Sequence, residues 1–196
     1  PAAGGLAYII LIKNFKVLVA GLSGMIIVFL FLKYTFLFQG VEQIRRMRTA
    51  LDPENASMNV RYENQKIFAQ YLSDKPFGAG VGTAGFWGSR FNPNSLMGNT
   101  PTDSWYVKIW AETGIVGITF HLIIIGYIMG QAGARIMATP NTKQKTYAMA
   151  FFASLTGVIF ANYGNQVMAQ MPTGAIINMM IPFIFLLTRH KYRHQN

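Results

Sequence analysis

The chain has 196 residues, 52% hydrophobic and only 12% charged, with a formal net charge of +10 and a mean hydropathy of +0.28. Soluble domains carry about 25% charged residues, so the composition points away from an ordinary soluble fold. There is no cysteine, which excludes a disulfide framework and any thiolate metal site, and the three histidines at 121, 190 and 194 make no metal-ligand pattern.

Such a positive chain suggests nucleic acid when its charge forms one patch. Here all seven acids lie between Glu42 and Glu112, and outside that window the basic residues come in short clusters with no acids. That is a pattern of membrane topology, so no nucleic-acid partner is expected.

In chain order, residue 1 is Pro, and residues 7–12 read as the end of a truncated helix. The expectation is a fragment with further membrane helices upstream. Residues 17–38 are long enough to cross, since a span needs about 20 residues. Lys33, near the outer end of that span, snorkels to the interface.

Residues 39–104 form a long loop, and a loop of that length should hold elements of its own. Within 40–51, Val41, Ile44, Met47 and Leu51 fall along one face, which is the spacing of an amphipathic helix lying on the membrane or on other spans. Arg45, Arg46 and Arg48 lie on or beside its polar side. Asp52-Pro53 breaks it. Residues 59–73 read as a second helix with Val60, Ile67, Phe68, Tyr71 and Leu72 as its apolar side and Arg61 in its first turn. A cation sits poorly at the positive end of the macrodipole, unless an anion is shared between the guanidinium and the free backbone N–H groups.

Pro76 ends that helix, and a glycine-rich run follows. Residues 80–85 match G-x-G-x-x-G, but no strand precedes them and no βαβ unit fits, so a dinucleotide site is not expected. A tight backbone packing close to a span or a ligand is the better reading. Residues 86–99, rich in Gly, Asn and aromatics, suit a flap or a sugar-facing loop.

Residues 105–129 form a second crossing. Residues 147–163 and 174–188 form a hairpin closed by 164–173. Lys13 and Lys16, then Arg135, Lys143 and Lys145, then Arg189, Lys191 and Arg193 place eight basic residues on one side, unopposed by acids. By the positive-inside rule that side is cytoplasmic. The expected fold is all-α: a multi-pass helical membrane protein with a large, partly helical extracytoplasmic loop. Its expected divisions are membrane helices over 1–38, the loop over 39–104, three membrane helices over 105–188 and a basic cytoplasmic tail over 189–196.

The stretches "NVRYENQKIFAQYLSDKPFGAGVGTAGF" and "TDSWYVKIWAETGIVG" resemble the O-antigen ligase and O-antigen polymerase family of bacterial membrane glycosyltransferases. That family has an arginine opening an outer helix, a Pro-(x)-Gly-x-Gly-x-Gly turn, and then a polar pair, nine residues and Gly-x-x-Gly. Here the pair is Asp103-Ser104, and Gly114 and Gly117 complete the spacing. Ligases that attach O-antigen to lipid A-core typically have His-Asn at the pair. Its absence favours a polymerase of surface polysaccharide and leaves no histidine role to carry over. The resemblance implies a glycan on undecaprenyl diphosphate as donor and a glycan hydroxyl as acceptor. It places the reaction on the outer side of the bacterial inner membrane, with no metal or cofactor. Membrane lipids and glycan assembly proteins are the further partners it implies.

That chemistry needs cations for a diphosphate leaving group and a carboxylate near the attacking hydroxyl. Arg61 and Asp103 are the catalytic candidates, and Arg46, Arg48, Lys108, Glu112 and Trp87 the substrate-binding ones. All but Trp87, which stacks on sugars, have a plainer reading. Arg61 pairs on the surface with Glu63 or Asp74. Arg46 and Arg48 meet anionic lipid headgroups. Asp103 caps the helix starting at Trp105. Lys108 and Glu112, four apart on one helix face, form a structural ion pair. His121, deep in the span, is a neutral histidine bonded to a neighbouring helix. Trp105, Tyr106 and Trp110 stack on sugars or form an interfacial belt. Asn162, Tyr163, Asn165 and Gln166 line the same outer cleft. The competing function is a transporter or flippase subunit without catalysis, which should show broken spans in repeated halves.

Overall fold

A computed structural model of the protein describes residues 2–12, 14–35, 40–42, 44 and 56–189. Among the described residues there are eight α-helices, one short 3-10 turn and no strand. Arg46 and Arg48, with most of the amphipathic helix expected over 40–51, lie outside the described residues.

Two helices open the chain, α1 (Ala2–Ile12) and α2 (Phe15–Tyr34). The Asn14 side chain accepts the Lys16 N–H at 3.0 Å and so caps α2. α3 (Ala56–Tyr71) begins earlier than the expected start at 59. Its unpaired N–H groups are those of its first four residues, so Arg61 stands beyond them in the second turn. The expected sharing of an anion between Arg61 and a helix terminus is therefore corrected: Ala56 and Met58 are good helix formers, and they carry the helix past the anticipated boundary.

The loop then folds two short helices, α4 (Gly85–Phe91) and α5 (Leu96–Asn99), which meet backbone to backbone at Gly88 and Gly98. The remaining elements are α6 (Trp105–Ala138), α7 (Lys143–Ala161), a 3-10 turn (Val167–Ala169) and α8 (Thr173–Leu187). Among the described residues two helices, α2 and α6, are long and apolar enough to cross a membrane. α8 is apolar but has 15 residues, below the usual spanning length.

Among the described residues there are two cores. One joins α1, α6, α7 and α8 through Leu11, Ile136, Leu155, Ile177 and Ile184. α1 runs antiparallel to α7, with Gly4 against Ala153 and Gly157 at one end and Leu11 near Met149 at the other. Small residues let the backbones touch, as in membrane helix pairs. At one end of this bundle, Lys143 and Lys145 line a cavity with Leu11 and Ile12, and the Arg135 guanidinium lies 4.9 Å over the Phe185 ring. The opposite end holds the start of α6 and the turn after α7.

The second core consists of Phe68, Leu72, Ala84, Met97 and Ala111. It binds α3 and the loop helices to the first turns of α6.

That binding has a backbone component centred on Gly114, where α6 breaks: φ is 68° and ψ is −169°. The break frees carbonyls from the helical ladder, and the glycine-rich loop takes them. Ala79 N–H donates to Ala111 C=O at 3.0 Å, Gly80 N–H to Glu112 C=O at 2.9 Å, and Val116 N–H to Pro76 C=O at 3.2 Å. Gly78 and Gly114 are mutually required. A Cβ on Gly78 would lie 2.6 Å from the Glu112 carbonyl, and one on Gly114 would enter the Pro76 carbonyl. Both residues also have positive φ, which only glycine adopts without strain. Residues 76–80, which share only Gly80 with the G-x-G-x-x-G run, are thus a splint for a broken helix. Residues 115–138 alone extend about 36 Å, enough for a hydrocarbon core of ~30 Å.

Candidate functional site

The start of α6 is fixed from the far side of the fold. Ser104 is its N-cap, yet its hydroxyl donates to Asn162 C=O at 3.1 Å, and Trp105 N–H donates to the same carbonyl at 3.0 Å. Asn162 is fully buried, and its Oδ1 accepts Met168 N–H at 3.1 Å. The Gln166 amide donates to the Thr102 carbonyl and to its hydroxyl. Residues 102 and 104 are therefore held by the turn that follows α7. Tyr106 adds a bond from its hydroxyl to Ile159 C=O at 2.7 Å.

Asp103 lies between these two anchors, and the alternative that it caps α6 is corrected, because Ser104 occupies that position. Its carboxylate faces α3 instead. Arg61 Nε stands 3.7 Å from Asp103 Oδ2. That is ion-pair distance but too long for a hydrogen bond. Arg61 Nε is buried and has no hydrogen-bond partner among the described residues. The plainer partners of Arg61 are otherwise engaged: Glu63 binds Lys66 at 2.7 Å, and Asp74 lies 3.6 Å from Lys75.

The magnitudes separate two readings of this pair. The side chains are 32% and 44% exposed. A pair so open to water contributes about 1 kcal/mol or less. A buried donor left without a partner costs about 1–3 kcal/mol. The arrangement is a poor stabiliser and leaves the Arg61 Nε donor facing the carboxylate without a hydrogen bond.

The slot between Arg61 and Asp103 is walled by Tyr62, Gln65, Pro101 and Tyr163, with a volume of about 20 Å³. That is room for roughly one water-sized group. On the other side of Tyr62 and Gln65 is a wider groove of about 580 Å³, which also meets Asn59, Lys66 and Trp110.

The other candidates fall elsewhere. Lys108 and Glu112 line neither cleft. The ion pair expected between them is not among those of the described residues. The Lys108 ammonium lies 5.9 Å from the Trp105 ring instead, and the Glu112 side chain is buried with Oε1 unbonded. Trp87 stacks on Phe91 at 5.8 Å, with Arg90 over both rings, and also lines neither cleft. The expected hydrogen bond from His121 to a neighbouring helix is corrected: its Nε2 has no partner among the described residues, and its ring meets the edge of Tyr106 at 6.2 Å. Of the turn residues, Tyr163 walls the slot, and Asn162 and Gln166 brace it from behind.

Tyr62, Asn64 and Gln65 were not singled out by sequence. A signal was present, since 64 and 65 are three and four residues after Arg61 and share its helix face. Asn64 makes a long contact to Pro101 C=O at 3.5 Å.

Compared with known proteins, residues 1–122 match the family described as O-antigen ligase. No curated protein and no solved structure is a significant match to the chain.

Proposed function

The chain belongs to the O-antigen ligase family, and on that premise we propose that it is a membrane glycosyltransferase that extends a surface polysaccharide from lipid-linked units. The donor is a glycan on undecaprenyl diphosphate and the acceptor is a hydroxyl of another lipid-linked glycan. The protein is multi-pass in the bacterial inner membrane. The bundle end carrying Lys143 and Lys145 faces the cytoplasm, and residues 39–104 lie outside with the slot.

In the transfer, the bond between the anomeric carbon and the diphosphate oxygen breaks and a new glycosidic C–O bond forms. Asp103 accepts the hydroxyl proton. Arg61 balances the charge that grows on the departing diphosphate through its guanidinium. The slot holds a hydroxyl-sized group, so the acceptor oxygen sits there and the diphosphate lies at its mouth. Arg46 and Arg48 are further candidates for the phosphates. Without histidine at position 103, polymerisation is favoured over ligation to a lipid core.

The observation that carries this reading is the convergence of Arg61 and Asp103 at 3.7 Å from separate elements, both lining the slot. It is tested by expressing the full-length protein with Arg61→Ala or Asp103→Ala and measuring surface glycan length. The reading requires collapse to short chains with normal membrane insertion. Unchanged chain length with normal insertion would refute it.

A further inference from the structure

The groove beyond Tyr62 takes no part in the transfer step above, and its lining differs in kind from the slot. Its volume of about 580 Å³ falls within the range of roughly 300–1,000 Å³ typical of small-molecule sites. Its charge is internally cancelled, because Lys66 Nζ donates to Glu63 Oε1 at 2.7 Å. An anion gains nothing there. A lipid chain would strand the Asn59 and Gln65 amides against hydrocarbon, which is costly. Two aromatic rings, Tyr62 and Trp110, line the groove together with those amides. Flat apolar faces accept the C–H face of a ring, and each amide offers both a donor and an acceptor for hydroxyls. The complement of such a surface is uncharged, ring-shaped and polyhydroxylated. Tyr62 and Gln65 wall both spaces, so a ring in the groove abuts the slot beside Asp103.

We infer that the groove between α3 and the second turn of α6 is a binding subsite for a neutral sugar residue of a glycan chain. The inference rests on the glycosyl-transfer reading and names where one sugar of that substrate lies. The sugar belongs to the donor or to the acceptor, and both present the same chemistry to the groove.

The test uses purified full-length protein in nanodiscs. The probe is an oligosaccharide released by mild acid from the host's own surface polysaccharide, free of phosphate and lipid. Tyr62→Ala and Trp110→Ala should each weaken its binding tenfold or more. Trp110 also packs against a buried cluster, so Ala69→Trp serves as a second variant. Residue 69 is exposed and lines the groove, so the added ring fills the space without removing a contact, and binding should again fall tenfold. A probe that fails to bind the wild type, or binds Tyr62→Ala and Ala69→Trp as well as the wild type, overturns the inference. Transfer kinetics of Ala69→Trp identify the source of the sugar. A raised KM for the lipid-linked donor alone assigns the donor's sugar, one for the acceptor alone assigns the acceptor's, and no change in either counts against the subsite. Should Arg61→Ala abolish transfer while the probe fails to bind, the groove is lost and the transfer reading stands. Should Ala69→Trp abolish probe binding while Arg61→Ala transfers at the wild-type rate, the groove stands and the transfer reading is lost.

Discussion

Before Gly114, α6 carries Lys108 and Glu112, buries Ala111 and Glu112, and gives two backbone carbonyls to the glycine-rich loop. After Gly114, the same helix exposes Ile115, Phe120, Leu122, Ile123 and Ile124, and buries nothing until Ala132. The first part is held by protein and ends in the cleft, and the second has the surface of a helix that meets lipid. One glycine at positive φ lets a single stretch of chain do both. It stops the apolar face of the second part from continuing into the first, and it turns the freed carbonyls toward the glycine-rich loop.

The strongest way to break this comparison is Gly114→Val. A β-branched residue at φ 68° is strained by about 1–3 kcal/mol, and its Cβ also collides with the Pro76 carbonyl. The expected outcome is loss of folded protein in detergent extracts, seen as aggregation on size exclusion. Gly126→Ala in the same helix meets nothing within 4 Å and should leave the elution profile unchanged.

Phe68→Ala is next. The ring is fully buried in the outer core, and its removal should destabilise that core by about 3–5 kcal/mol. Limited proteolysis should then cleave within 56–100 at lower protease. Phe120→Ala, on the exposed part of α6, should leave the digestion pattern unchanged.

Arg61→Lys sharpens the comparison without unfolding anything. The pair with Asp103 contributes about 1 kcal/mol or less, so the thermal midpoint should hold within about 2–4 °C. A lysine retains the charge but lacks the fixed fork, so transfer should fall roughly 10- to 100-fold. A shifted midpoint with unchanged transfer would make Arg61 a structural residue. The smallest effect is expected at Lys108, whose ammonium lies over the Trp105 ring. A contact of that kind is worth about 0.5–1 kcal/mol at an exposed site, so Lys108→Ala should leave transfer within about threefold.

The helices were largely legible in the sequence, because apolar length and glycine, proline and charge punctuation are local properties. Arg61 and Asp103 were legible as a pair only through the family motif, since nothing local places residue 61 beside residue 103. What escaped depends on contacts between distant segments. The capping expectation put Asp103 at the helix start, but the carbonyl of Asn162 takes over much of the work of the cap, Ser104 sits at the N-cap, and Asp103 is released to face α3. The spacing of Lys108 and Glu112 suggested an ion pair, but the break at Gly114 and the loop docked on it draw Glu112 inward. The groove at Tyr62 and Trp110 joins two helices whose relative placement is set by Phe68, Met97 and Ala111, and periodicity within either helix does not encode it.

The most direct measurement is a double-mutant cycle on transfer rate with Arg61→Ala, Asp103→Ala and the combination, in full-length protein of matched abundance. Two groups acting on one transition state are strongly non-additive. The double variant should therefore be no more than about threefold slower than the slower single variant. Losses that multiply, with the double variant slower by the full product of the two single effects, would mean that Arg61 and Asp103 act in separate places, and the slot would not be the site of transfer.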